Sequence, residues 1–308
     1  MNKIVAICGP TAVGKTAYSI EIAKKFDGEI VSCDSMQLYK YMDIGSAKPS
    51  SDELNQVKHH LIGVVEPSEM FSVAKYKELA NDAIDDIISR GKLPIIAGGT
   101  GLYLDALLYD LDFAAAPSDS TLRDELYKIA EEKGNLELHA ILQECDPSSA
   151  KRIHPNNVRR VVRAIESAKS GVQLKDFAKD LSLNDKYEFI LIGLRRDREE
   201  LYDRINRRVD VLVEEGLFEE VKMLREMGLS ESDISMKGIG YKEVLAYFDG
   251  EYDLETAIDT IKKNTRHFAK RQITWLKRYD DMKWFDLSES KEDKDLIREI
   301  ITWLEKGL

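Results

Sequence analysis

The segment GPTAVGKT, residues 9–16, restricts the possible folds of this chain more than any other feature. It matches the pattern G-x-x-x-x-G-K-[ST], follows an apolar run at 3–8 and precedes a helical pattern at 16–26. Strand, glycine-rich loop and helix in this order are the context of a phosphate-binding P-loop. There the backbone N–H groups cradle phosphate, Lys15 supplies positive charge, and the Thr16 hydroxyl can bind Mg²⁺. The predicted phosphate-binding residues are Gly9, Pro10, Thr11, Ala12, Val13, Gly14, Lys15 and Thr16.

Apolar runs typical of buried strands recur along the chain, with helical patterns between them. These runs are KIVAIC, EIVSC, HLIGVV, LPIIAGG and, much later, YEFILIGL. Continuous apolar strands that alternate with helices predict an α/β fold, in which a parallel sheet is covered on both faces.

The strand signals stop between residues 118 and 186, where only helical patterns occur. We therefore predict a helical insertion domain at 118–186 and a P-loop core formed by 1–117 and 187–308. The segment DFAAAPSDS, 112–120, is the expected linker into the insertion. The chain after residue 197 is expected to be mostly helical.

Two more polar groups follow strand-like runs. Asp34 is the first residue after IVSC, and Thr100 lies in the glycine turn GGTG that follows LPIIA. Because ligands bind beyond the carboxyl ends of parallel strands, we expect an acid, a hydroxyl and a phosphate cradle to face one another. Each feature has a simpler explanation, since Asp34 could only cap a helix and GGTG could only be a turn. Their coincidence at neighbouring strand ends favours a site.

Composition and cysteine content restrict the location of the protein. The chain has 308 residues, of which 43% are hydrophobic and 33% charged, as in soluble globular proteins. No apolar run approaches the roughly 18 residues of a membrane helix, and the first strand begins too early for a signal peptide. Three cysteines without regular spacing argue against a disulfide framework or a zinc site. We expect a cytoplasmic monomer with no membrane partner.

The charge is unevenly distributed along the chain. The formal net charge is −11, yet residues 151–165 carry five Lys or Arg and 260–279 carry seven, with no acid in either stretch. Two acid-free basic stretches in an acidic protein indicate binding sites for a polyanion, although each alone could be a solvated helix face. The candidate residues are Arg159, Arg160, Arg163, Lys270, Arg271, Lys277 and Arg278.

Six sequence blocks in order resemble the tRNA dimethylallyltransferases, the tRNA isopentenyltransferases of bacteria. The blocks are GPTAVGKT, DSMQLYKYMDIGSAKP, AGGTGLYLDALL, RIHPNNVRRVVRAIE, GIGYKE and KRQITWLKR. The resemblance implies transfer of a dimethylallyl group from dimethylallyl diphosphate to the exocyclic amine of the adenine 3′ of the tRNA anticodon. The P-loop would hold the leaving diphosphate with Mg²⁺, and the partner would be the anticodon stem-loop.

The resemblance also assigns residues to the chemistry. Asp34 matches the acid that orients and deprotonates the adenine amine, and Thr100 matches the hydroxyl beside the reacting centre. Either Arg204 or Arg208 would add positive charge for the diphosphate, and the sequence does not decide between them.

Further positions correspond to the tRNA side of the family site. Ser35, Met36 and Gln37 continue the block that contacts the target base, and Met36 stands where the family often has Arg. Arg123 occupies a position that the family associates with tRNA. The predicted tRNA-binding residues are thus Asp34, Ser35, Met36, Gln37, Thr100, Arg123, Arg159, Arg160, Arg163, Lys270, Arg271 and Lys277.

Other functions remain open from the residues alone. A prenyltransferase acting on free adenine nucleotides would need no RNA-binding surface. A P-loop kinase would use the loop for ATP and should carry an arginine-rich lid, for which RRVVR in the insertion could be mistaken. A phosphate-binding module without catalysis would leave Asp34 and Thr100 without a task. The sequence does not decide whether ATP also enters the loop.

Overall fold

The computed structural model describes residues 2–109, 111, 120–171, 182–288 and 293–308. Within these residues the strands are β1 (Asn2–Cys8), β2 (Gly28–Cys33), β3 (His59–His60), β4 (Leu93–Gly98), β5 (Tyr187–Arg195) and β6 (Lys283–Asp286). They form one parallel sheet in the order β3-β2-β4-β1-β5-β6. The predicted α/β class with a parallel sheet is confirmed.

The described helices fall into two groups along the chain. In the core they are α1 (Lys15–Lys25), α2 (Ser51–Gln56), α3 (Val73–Ser89), α4 (Gly101–Leu108), α9 (Arg198–Glu214), α10 (Leu217–Glu226), α11 (Tyr241–Phe248), α12 (Leu254–Leu276) and α13 (Asp293–Gly307). Between β4 and β5 the chain forms α5 (Ser120–Lys133), α6 (Asn135–Cys145), α7 (Pro147–Arg152) and α8 (Val158–Lys169). None of the helices in the described ranges is long and apolar enough to cross a membrane.

The chain divides into two compact units. The core unit comprises Met1–Leu108 and Asn184–Leu308, and the insertion unit comprises Tyr109–Leu183. The sequence predicts the insertion at 118–186. Its predicted start and most of the predicted linker at 112–120 lie outside the described residues.

The central strands are buried on both faces because their side chains alternate between two helical layers. On one face Val5 and Ile7 pack in a cluster with apolar residues of α1, α9 and α13. The alternate residues Ile4 and Ala6 are equally buried but lie outside that cluster. This explains the continuous apolar run that marked β1 in the sequence.

The two edge strands depart from the sequence expectation. The run HLIGVV was expected to continue as a strand, but pairing ends at His60 because Leu61 and Gly63 have φ values of 61° and 60°. Val65 makes only an isolated bridge to Tyr39. At the other edge, β6 pairs with β5 in a region that was expected to be mostly helical and in which no strand was predicted.

The insertion unit has its own core, formed by apolar residues of α5, α6, α7 and α8. Asp146 caps the start of α7 by accepting a hydrogen bond from the Ser149 N–H. Arg123 lies 2.7 Å from the buried carboxylate of Glu166, and Arg163 lies 3.6 Å from the same group. Two of the cations predicted to bind tRNA therefore form ion pairs inside this unit.

Candidate active site

The P-loop connects β1 to α1 as predicted. Gly14 precedes α1 without a side-chain cap, so no side chain of that residue competes for the first N–H groups of the helix. Such a helix start attracts anions. Lys15 Nζ donates to the carbonyl oxygens of Gly9 and Pro10, at 3.0 and 2.8 Å, which places its charge at the beginning of the loop.

The electrostatics of the loop involve one acid and a second cation. Burial lowers the pKa of Lys15 to about 8, while the negative charge of Asp34 opposes this shift. Burial also lowers the pKa of Arg208, and Asp34 again opposes the shift. These couplings show that Lys15, Asp34 and Arg208 share one electrostatic environment.

Asp34 and Thr100 are brought together by the pairing of β2 with β4. Cys33 lies opposite Gly98 in this pair, and the Thr100 N–H donates to the Cys33 carbonyl at 3.1 Å. Thr100 Oγ1 accepts from the Ser35 N–H at 3.1 Å, while Asp34 Oδ1 accepts from the Met36 N–H at 2.9 Å. The approach of the two turns requires glycine, since a Cβ on Gly98 would lie 2.1 Å from the Cys33 oxygen.

A cavity of about 430 Å³ opens beside Asp34, within the core unit. Thr100 is bonded to Ser35 of its lining but does not itself line the cavity. Its polar lining includes Thr11 of the P-loop, Asp34, Ser35 and Arg208. Its apolar lining includes Met36, Ile205, Val209, Leu217, Ile239 and Phe268. One cavity thus joins a phosphate loop, a carboxylate and an apolar wall.

The structure separates the two arginines between which the sequence does not decide. Arg208 lines the cavity, and its guanidinium donates to the Ala47 carbonyl at 3.5 Å. Arg204 instead donates from Nε to the Ala12 carbonyl at 3.0 Å, and so braces the P-loop. Arg208 is therefore the arginine that faces the cavity beside Asp34.

The three residues after Asp34 have different positions relative to the cavity. Ser35 and Met36 line the cavity. Gln37 instead spans two neighbouring segments: its Nε2 donates to the Ala47 carbonyl at 3.1 Å, and its Oε1 accepts from the Ser32 hydroxyl at 3.1 Å. In this structure Gln37 holds the loop that carries Ala47.

Glu220 supports the wall of the cavity, and the sequence patterns did not single it out. Its buried carboxylate accepts from the N–H groups of Asp43, Ile44 and Gly45, at 2.7, 2.7 and 2.9 Å. The Tyr241 hydroxyl donates to the same group at 2.8 Å. These four hydrogen bonds, called the Glu220 clamp below, fix residues 43–47, which include three of the cavity-lining positions. The sequence signal that could have identified Glu220 is an acidic residue on the apolar face of α10.

Gln272 was also missed, because its block KRQITWLKR draws attention to the basic residues around it. The side chain is buried on α12. Its Oε1 accepts from the Thr11 N–H at 2.9 Å, and its Nε2 donates to the Gly99 carbonyl at 3.0 Å.

The basic stretches are less uniform in space than in sequence. Lys270, Arg271 and Lys277 are exposed, and Arg271 reaches the cavity. Acids from other segments approach the same stretch, however. Lys262 lies 2.6 Å from Asp210, and Arg278 lies 3.8 Å from Asp105. In the insertion unit Arg159 and Arg160 are exposed.

The residues of the site could supply only a few of the ligands of a bound Mg²⁺. Among the described residues no group of three or more His, Cys, Asp or Glu could hold a metal ion. Mg²⁺ prefers oxygen ligands and commonly takes one or two from the protein, with the rest from phosphate and water. The Thr16 hydroxyl, in the first turn of α1, is one such oxygen.

The fold and the site together define this chain as an α/β protein with P-loop architecture. A family model described as IPP transferase matches residues 37–279, and the chain belongs to this family. A tRNA dimethylallyltransferase of Clostridioides difficile is 50% identical, with 100% of each chain covered. The aligned region includes the P-loop and Asp34, which lie before the part matched by the family model.

Solved structures show the same relationship. The tRNA isopentenylpyrophosphate transferase of Bacillus halodurans is 44% identical, with a TM-score of 0.75 over 99% of this chain and 96% of that one. A eukaryotic dimethylallyltransferase acting on tRNA is 30% identical, with a TM-score of 0.85 over 100% of this chain and 79% of that one. The resemblance recognised in the sequence is confirmed.

Proposed function

We propose that this protein is a tRNA dimethylallyltransferase, which transfers the dimethylallyl group of dimethylallyl diphosphate to the exocyclic amine of the adenine 3′ of the anticodon. The observation that carries the proposal is one cavity lined by Asp34, Arg208 and Thr11 of the P-loop, with Thr100 bonded to Ser35 of the same lining. The names of the relatives, all prenyl-transferring enzymes acting on tRNA, support the same reaction.

The diphosphate of the donor would occupy the P-loop. The N–H groups at the start of α1, the ammonium of Lys15 and the guanidinium of Arg208 would neutralise the charge that grows on the leaving group. The apolar wall would exclude water from the dimethylallyl group. The Thr16 hydroxyl would be the protein's ligand for Mg²⁺, which would supply further positive charge to the leaving group.

Asp34 would act on the acceptor. The adenine nitrogen forms a bond to the allylic carbon as the carbon–oxygen bond to diphosphate breaks, and the bonding electrons leave with the diphosphate. The nitrogen then loses a proton, which the Asp34 carboxylate accepts. The Thr100 hydroxyl, held by its bond to the Ser35 N–H, would lie beside the reacting atoms.

A tRNA acceptor is supported by the exposed cations of each unit. Arg159 and Arg160 on the insertion unit and Lys270 and Lys277 on the core unit offer charge that a free nucleotide in the cavity would not need. The adenine must leave the stack of the anticodon loop to reach Asp34, which costs a few kcal/mol. Phosphate contacts to these cations would offset that cost. We place this activity in the cytoplasm and expect a monomeric enzyme.

The test compares acceptors with one labelled donor. The protein is incubated with labelled dimethylallyl diphosphate and, separately, unmodified tRNA, its anticodon stem-loop, AMP and ATP. The proposal expects prenylated adenosine in digests of both RNAs and far slower transfer to the nucleotides. AMP prenylation at the tRNA rate would favour a free-nucleotide enzyme, and phosphate transfer from ATP without prenyl transfer would indicate a kinase.

A further inference from the structure

Gln272 joins the two halves of the site by a pair of hydrogen bonds through one side-chain amide. Its oxygen accepts from the Thr11 N–H of the P-loop, and its nitrogen donates to the Gly99 carbonyl, directly before Thr100. The bonds measure 2.9 and 3.0 Å, and Gln272 is 5% exposed. Both partners are backbone groups of turns at which substrate groups are proposed to bind.

We propose that Gln272 is a positioning residue that fixes the P-loop relative to the Thr100 turn, and so holds the diphosphate in line with the adenine amine. This inference rests on the proposed function. The requirement is geometric, because the leaving oxygen and the attacking nitrogen must lie on opposite sides of one carbon. A misplacement of about 1 Å can cost roughly 10²-fold in rate.

The amide is matched to this task by its chemistry. It offers one acceptor and one donor in a fixed plane, and the two backbone groups here demand one of each. A carboxylate would accept from Thr11 but repel the Gly99 carbonyl, and an apolar side chain would leave both groups buried and unpaired. Space is equally restricted: a Cβ on Gly99 would lie 2.2 Å from Gln272 Nε2.

The structure therefore predicts a specific pH signature. In Gln272→Glu the introduced carboxyl, when protonated, has one acceptor oxygen and one donor hydroxyl, and so restores both bonds. Burial raises the pKa of such a carboxyl, so protonation occurs in an accessible range. The ratio of variant to native kcat should rise as the pH falls from about 8 to about 5.5.

The experiment measures kcat for labelled prenyl transfer to tRNA across this pH range in four proteins. Gln272→Leu should lose roughly 10- to 100-fold at every pH, and Gln272→Glu should recover toward native only at low pH. Thr274→Ala, on the exposed side of the same helix, serves as the matched control and should equal the native enzyme. Using ratios to native cancels the titration of other groups.

Two results would overturn the inference. Native-like kcat in Gln272→Leu would show that neither bond matters, and an equal, pH-independent loss in both variants would indicate a packing role only. A native enzyme that transfers no prenyl group to tRNA would contradict the proposed function instead. The inference is then judged by the affinity for inorganic diphosphate, where pH-dependent recovery in Gln272→Glu supports it and a pH-independent affinity overturns it.

Discussion

Asp34 meets two demands with one side chain. Its Oδ1 accepts from the Met36 N–H and so shapes the turn after β2, while the proposed reaction needs the carboxylate as a base. Asp34→Asn separates the two, because an amide oxygen can still accept from Met36 but the group no longer takes a proton. Transfer should fall by roughly 10²- to 10⁴-fold, the usual range for loss of a general base. Single-turnover transfer with saturating donor measures the effect.

Binding of the donor is the control for this variant. The P-loop and Arg208 remain, and one negative charge near the diphosphate is gone, so affinity for an unreactive allylic diphosphate should be retained or improved. Turnover close to native in Asp34→Asn would remove Asp34 from the mechanism.

Lys15 gives the reaction an alkaline limit. Burial lowers the pKa of its ammonium to about 8, so the free enzyme loses this charge as the pH rises through that value. The ratio kcat/KM for the donor, which reports groups of the free enzyme, should therefore decline above about pH 8. Bound diphosphate stabilises the charged form, so the decline in kcat should lie at higher pH.

The matched variant is Lys15→Arg, whose guanidinium stays charged throughout this range. Its activity should be lower, but the decline near pH 8 should disappear. The assignment is contradicted if the same alkaline limb persists in Lys15→Arg.

At the level of single residues, sequence information was sufficient where a group follows a strand. Asp34 directly follows β2, Thr100 lies two residues after β4, and Lys15 follows β1 at the end of the P-loop. Sheet geometry alone therefore predicts that the three approach one another. Gln272 and Glu220 reach the site from helices that are more than 170 residues away in sequence from the backbone they bind. No local pattern specifies such a partner, and only the folded chain reveals it.

Among the elements, α10 contributes the Glu220 clamp. Three N–H groups and the Tyr241 hydroxyl converge on this one carboxylate. In Glu220→Gln the side-chain amide would direct an N–H group toward backbone donors. We expect a loss of stability of about 2 kcal/mol and weaker activity, since the cavity-lining loop 43–47 loses its anchor. Thermal or urea unfolding measures the first effect.

Glu219→Gln is the matched control, since Glu219 is the exposed neighbour on the same helix. It should unfold like the native protein. Equal stability of both variants would show that the clamp does not stabilise the loop.

Elements were predictable from sequence where they are long and apolar. The strands β1, β2, β4 and β5 are mostly buried apolar runs, and all were expected close to their observed bounds. β6 consists of four residues, KWFD, with charges at both ends, and only its place beside β5 makes it a strand. The prediction of a longer strand at HLIGVV was wrong. The run is apolar, but the positive φ of Leu61 ends the strand after His60.

For the whole molecule, RNA affinity should depend on the exposed cations of the insertion unit. Changing Arg159 and Arg160 together to Ala should weaken tRNA binding and flatten its log–log salt dependence by about one to two units. Donor binding should be unchanged. Filter binding at several salt concentrations measures both quantities. Arg159 and Arg160 are preferred to Arg163, because Arg163 lies close to the buried Glu166. Its substitution would change the stability of the unit as well as RNA binding.

Lys128→Ala supplies the control in the same unit, because Lys128 is an exposed cation that lies 3.8 Å from Glu132. An unchanged salt slope in the double variant would place the RNA contacts elsewhere.

The distribution of charge in the folded protein differs from its distribution along the sequence. The stretch 260–279 contains no acid in sequence, yet Asp210 and Asp105 approach two of its cations in the folded chain. The sequence shows where basic residues cluster along the chain. Only the structure shows which of these cations lie close to acids.

The central claim is that the P-loop receives a leaving diphosphate rather than a phosphate for transfer. It is tested most directly by the products of one turnover with labelled dimethylallyl diphosphate and saturating tRNA. The account predicts one inorganic diphosphate released for each prenylated adenosine formed, with no orthophosphate and no phosphorylated product. Release of orthophosphate, or consumption of the donor without prenylated adenosine, would contradict it.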